Sequence, residues 1–300
     1  MPDALPPRVE RLRAELAELI PCDPDIEELR NELRSMSLRE LMSVYMGWAQ
    51  RLIRPAPRQV GIIDGFWDNR GKRHQAEVEA HIGRIILGAD LSSFLSRKIH
   101  QHGYAPKGAG TKTVRGIDWN RMDLALNAWG VHHLHLRERP ADELLFTTFS
   151  RQSANLLLLG SHKSFHSGEI EAAVMRWRAQ TNQWVLNGVL PERESTPAKR
   201  THLTRHGLAT SANIGGKTIL SSLISSAGTS LQIGIHADRV VTALRAYDAK
   251  LDRPVLTELI RTDDLVRLKG RRWSWRMDYC DLLLVEETTP YKLLAVPGPT

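Results

Sequence analysis

Five histidines fall between positions 132 and 166 of this 300-residue chain, and their spacing is the chemistry most open to reading. Three stand in Gly130-Val-His-His-Leu-His-Leu-Arg137 and two in Gly160-Ser-His-Lys-Ser-Phe-His166. Read as a strand, the first segment alternates. His133, His135 and Arg137 share one face, and His132, Leu134 and Leu136 share the other. Imidazoles titrate near neutrality, so two of them can remove one proton and supply another. On RNA that suffices: one ring deprotonates the 2′-hydroxyl, a second protonates the departing 5′-oxygen, and cations balance the charge on phosphorus. The spacing assigns His133 and His135 as the acid/base pair and Arg137 and Lys163 as electrostatic partners, with His162 or His166 able to replace one of the pair. Neither a metal nor another cofactor is required.

Two other chemistries use the same residues. The His133/His135 pair with His162 or His166 is a three-nitrogen set suited to zinc or another transition metal, as in a metal-dependent nuclease or phosphoesterase. Arg137 on that face opposes a cation; it also stands where a histidine-triad hydrolase needs a third histidine, and no second block completes a cupin. A protein that binds nucleic acid without cutting it would use the histidines as contact residues. Any one of them taken alone is more often a core or surface residue, and His132 is read as core.

Cationic groups gather near the histidines. Residues 56–139 hold 13 basic and 8 acidic side chains in a chain of net charge +7. No acid stands between Asp90 and Asp118, where Arg97, Lys98, Lys107, Lys112 and Arg115 occur among glycines and Pro106. Such a loop can lie on phosphates and displace counterions, or be an ordinary solvated loop. In Lys269-Gly-Arg-Arg-Trp-Ser-Trp-Arg276 both indoles share a strand face; they can stack on bases, though packing is the commoner use. Gly215-Gly-Lys-Thr218 lacks the first glycine of a phosphate loop, since position 211 is Ser.

A helix followed by consecutive antiparallel strands, with His133, His135 and Arg137 on one sheet face, resembles the small ribonuclease fold of barnase, EndoU-type enzymes and RelE-like toxins over residues 117–180. The resemblance implies an endoribonuclease acting in defence or growth control, with RNA as substrate and an inhibitory protein as a possible partner. The remaining residues would then regulate the activity or select the substrate.

The elements that must position these residues form an α+β chain. Leucine spacing and a Ser37-Leu-Arg-Glu40 capping box predict a helical module over 1–55, closed by Pro55. A central catalytic domain over 56–190 is expected to hold helices at 75–87, 89–100 and 117–129, strands at 131–137, 143–151 and 155–161, and a helix at 169–180. A polar linker at 191–206 leads to a C-terminal α+β unit over 207–300, with a strand at 217–224, a helix at 231–251 and strands after Trp273. The charged N-terminus excludes a secretory signal, and no stretch is apolar enough to span a bilayer. Two distant cysteines, Cys22 and Cys280, suggest neither a disulfide framework nor a thiolate zinc site, which fits a reducing cytoplasm.

Overall fold

A computed structural model describes residues 5–68, 70–104, 113–114, 117–118, 122–138, 142–189, 195–251, 272–289 and 291–299. The chain is α+β. In order it forms α1 (Pro7–Leu19), α2 (Glu27–Ser35), α3 (Leu38–Ala49), β1 (Gln59–Ile62), α4 (Arg70–Arg73), α5 (Gln75–Leu87), β2 (Thr113–Val114), β3 (Ile117–Asp118), α6 (Leu124–Trp129), β4 (Val131–His135), β5 (Glu143–Phe149) and β6 (Ser153–Ser161). Then follow α7 (Ser164–Ser167), α8 (Glu169–Thr181), α9 (Pro197–Arg205), β7 (Ser211–Ile214), β8 (Lys217–Leu220), α10 (Leu231–Leu251), β9 (Trp273–Asp278), β10 (Asp281–Glu286) and β11 (Lys292–Val296). No helix among the described residues is long and apolar enough to cross a membrane.

Two units divide the chain, and the division differs from the one expected. The first gathers residues 1–50, 100–105 and 233–299. α1 and α2 bury single apolar stripes and α3 a broader face from Leu38 to Ala49, and none encloses a core alone. Leu12, Leu16, Leu33, Leu41 and Met46 therefore share one core with Val240 and Leu244 of α10 and Trp275 and Leu282 of the β9–β11 sheet. The expected boundary at 55 falls near the end of α3, but the one at 207 does not exist as a unit boundary: the N-terminal helices and the C-terminal strands fold together. Ser37 and Glu40 make the expected capping box at the start of α3. Trp273 and Trp275 are both buried in this core, so they pack and offer no platform for bases.

The second unit holds residues 51–99 and 106–232. Its main sheet has the order β1-β6-β5-β4. β4, β5 and β6 form the expected antiparallel meander, and β1 adds to β6 in parallel, Gln59 opposite Ser153 and Ile62 opposite Leu156. The burial of β4 follows its alternation: Leu134 and Leu136 are buried, His133 and His135 half-buried and Arg137 exposed. The Gly215-Gly216 pair makes the turn of the β7–β8 hairpin with φ of 58° and 78°, a hairpin and not a phosphate loop.

Three expected elements differ. The helix at 89–100 is replaced by two short 3-10 turns at Ser92–Phe94 and Arg97–His100, because the Asp90 carboxylate accepts from both the amide and the hydroxyl of Ser92 and favours a local turn. The helix at 117–129 begins only at Leu124, where Asp123 caps it by accepting from the Leu126 amide at 3.0 Å. Within the expected linker stands α9, with Pro197 at its first position and Thr196 as its cap. Its buried residues are Arg200, Thr201 and Thr204. Arg200 makes two bonds to Glu171 of α8, at 2.6 and 3.0 Å, and Glu171 is fully buried.

Candidate functional site

The meander register brings the two histidine segments to one edge of the sheet. His135 pairs with Leu144, and Leu144 pairs with Gly160 at the exit of β6. The chain then turns at once into α7. Residue 160 must be glycine for that approach, because a Cβ there would stand 2.5 Å from the Ser164 hydroxyl and 3.0 Å from the Phe146 ring. The Ser164 hydroxyl accepts from the Ser161 amide and donates to Glu169, which ties α7 to the first turn of α8. Gly168, at φ +88°, joins α7 to α8, and a Cβ there would meet the Ala198 backbone of α9 at 2.6 Å. Short helices are thus stacked over the end of the sheet by close backbone contact.

Phe165 of α7 lies over the histidine face. Its ring meets His133 edge-on at 5.2 Å, Phe146 at 5.4 Å and His162 at 6.4 Å between centroids. The His135 and His162 rings are 6.1 Å apart. Beside this cluster opens a cavity of about 400 Å³, lined among others by Arg51, Lys98, Asp123, His132, His133, His162, Phe165, His166 and Arg205. Three cationic side chains and four imidazoles face a single carboxylate, a balance that favours an anion.

Two pairs organise the imidazoles. Nδ1 of His133 faces the Asp123 carboxylate at 3.4 Å, and Asp123 is itself fixed as the cap of α6. His133 Nδ1 is buried and makes no shorter bond. On the other side, the Arg205 guanidinium bonds to Nδ1 of His166. Arginine only donates, so His166 accepts at Nδ1 and carries its proton on Nε2. Burial and the Arg205 charge both push the His166 pKa below its ordinary value. Burial also lowers the Arg205 and Arg51 guanidinium pKa values, the latter opposed by the Asp123 charge.

Of the residues singled out in the sequence, His133, His162, His166 and Lys98 line the cavity. His135 lies beside His162 and is not part of the cavity lining. Arg137 does not reach the cavity: it is exposed and bonds Glu77 at 3.1 Å, pulling that carboxyl below its usual range. Lys163 and Arg97 are exposed and do not line it. Lys107, Lys112 and Arg115 lie outside the described residues. His132 is buried edge-on to Phe149 at 5.4 Å, as its face of the strand requires. Asp123, Arg51 and Arg205 were not anticipated. Asp123 had a signal, as an acid one turn ahead of an apolar helix; Arg205 was hidden in the presumed linker.

Among the described residues no three His, Cys, Asp or Glu side chains converge as a metal-binding group. No protein-family model, curated protein or solved structure matches this chain.

Proposed function

We propose that this protein is an endoribonuclease that cleaves RNA by acid/base chemistry on histidine, centred on His133. The observation that carries this reading is the cavity: a histidine backed by a carboxylate, three further imidazoles and three cations around one space. His133 donates its Nδ1 proton toward Asp123, which leaves the Nε2 lone pair free to take the proton of a 2′-hydroxyl, the orientation logic of a carboxylate–histidine pair. The 2′-oxygen then bonds to phosphorus as the bond to the 5′-oxygen breaks, and His162 in its protonated form supplies the proton to that leaving oxygen. The products are a 2′,3′-cyclic phosphate and a 5′-hydroxyl, with His133 left protonated and His162 neutral, a net transfer of one proton from the second histidine to the first.

His166 has a different part. With Nδ1 engaged by Arg205 it carries its proton on Nε2, and burial and the Arg205 charge favour the neutral ring, so it is placed to donate a hydrogen bond to a phosphate oxygen. Arg51, Lys98 and Arg205 offset the charge that develops on phosphorus. The pair assigned from sequence, His133 with His135, becomes His133 with His162, because His162 lines the cavity and His135 does not.

The test is cleavage of a mixed RNA and its all-deoxy counterpart in EDTA, by wild type and His133→Ala. The proposal expects RNA cut by wild type alone and DNA left intact. Cleavage only with a divalent ion, or RNA bound but never cut, contradicts it.

A further inference from the structure

The last turn of α9 places two histidines together outside the cavity lining. His202 and His206 stand four residues apart, so they share one helix face. Their rings lie 4.4 Å apart between centroids, tilted by 49°. His206 is the C-cap residue, and its Nδ1 donates to the backbone carbonyl of His202 at 2.8 Å. That bond satisfies a carbonyl left without a helical partner, and it also places the ring's lone pair on Nε2. A ring whose Nδ1–H is held by a carbonyl is the usual form of a metal-binding imidazole. Capping explains the bond but not the second ring beside it. His202 is exposed, and the one cation between the two in sequence, Arg205, is engaged by His166.

We propose that His202 and His206 form a two-histidine site for a divalent transition metal such as Zn²⁺, with Nε2 of His206 and a ring nitrogen of His202 as ligands and water completing the shell. Histidines at this helical spacing are a known way to present two ligands on one face. Imidazole suits zinc, copper and nickel, whereas magnesium and calcium demand oxygen. With two protein ligands the metal exchanges freely, as a sensed or inhibitory ion does. Because Arg205 lies in the same turn, a bound metal stiffens the segment that holds His166. Metal binding itself does not depend on the proposed reaction; only its effect on cleavage rests on that reading.

The experiment is a calorimetric titration of the metal-stripped full-length protein with ZnCl₂. The panel is wild type, His202→Ala, His206→Ala and the cavity variant His133→Ala/His162→Ala, with thermal melts of each with and without zinc. The expected result is that His202→Ala and His206→Ala each bind at least tenfold more weakly and lose the zinc-induced rise in Tm, while the cavity variant keeps both. Unchanged affinity in either α9 variant, or loss of binding in the cavity variant, overturns the site. The melts show whether each variant is folded, and His202→Gln at an exposed position supplies a second variant if alanine frays the helix. In cleavage assays, a zinc effect that vanishes in His202→Ala comes from this site, and one that persists comes from elsewhere.

Discussion

Buried polar groups behave differently in the two units. In the first unit several close on one another, though among the described residues Trp273 Nε1 and Ser274 Oγ do not: Asp248 accepts from Arg8 at 2.9 Å and from the Trp275 indole at 2.8 Å, His236 bonds the Cys280 carbonyl at 2.9 Å, and Asp281 accepts the Gly298 amide at 2.6 Å. In the second unit the cluster at the end of β4 is arranged around a space. His133 Nδ1 comes no nearer than 3.4 Å to its carboxylate, and burial lowers the pKa values of the Arg51 and Arg205 guanidinium groups. The second unit also has a closed set, Glu171 with Arg200, one helix away from the open one. Polar groups that saturate each other hold a fold together; polar groups ordered around a cavity are organised for something that enters it.

That contrast can be broken first at its closed end. Glu171→Ala strands the Arg200 guanidinium, which is 5 % exposed, and is expected to cost about 3–5 kcal/mol, read by urea unfolding. His133→Ala is the open counterpart: about 10²- to 10⁴-fold less RNA cleavage with a smaller loss of stability than Glu171→Ala, since the ring gives up packing against Phe165 but strands no buried charge. Equal destabilisation by the two variants would erase the distinction. Asp123→Asn keeps the cap of α6, because asparagine caps as well as aspartate, but removes the charge beside His133. Cleavage is expected to fall roughly 10- to 100-fold, as when the group orienting a working imidazole is lost, with Tm nearly unchanged.

The smallest effect concerns His81, fully buried behind β4, with Nε2 on the Leu136 carbonyl at 3.3 Å. Burial, with a smaller push from Arg84, lowers its pKa below the ordinary 6.5. The unfolded chain therefore binds the proton more readily, so stability is full above about pH 6.5 and falls as pH drops toward the lower folded value. His81→Gln is expected to flatten that acid slope in a series of melts between pH 7 and 5. An unchanged slope means other groups carry it.

How far the sequence could be read follows the same contrast. The meander and the faces of β4 were legible because Leu134 and Leu136 alternate with His133 and His135, and a two-residue period survives any packing. α8 and α10 were expected within a residue of their ends, α10 from the Gly228-Thr229-Ser230 sequence before it. α9 was not, because its buried side chains are Arg200, Thr201 and Thr204, so no hydrophobic pattern marks it, although Thr196-Pro197 is a helix start. Reading that helix as a linker concealed Arg205, and with it the state of His166. The pairing of β1 with β6 and the shared core of α1–α3 with β9–β11 join residues far apart in the chain, which no local pattern encodes. The expected role of Arg137 failed for a related reason: alternation gives its face correctly, but Glu77 from α5 reaches it first.

The central claim is that His133 turns a 2′-hydroxyl against its own phosphodiester, and the chemical ends of the product test it most directly. RNA digested by the full-length protein in EDTA, separated and analysed by mass spectrometry, is predicted to carry 2′,3′-cyclic phosphate and 5′-hydroxyl ends, and none should form with His133→Ala. Ends bearing 3′-hydroxyl and 5′-phosphate, or the same cyclic ends in undiminished yield from a folded His133→Ala protein, would contradict it.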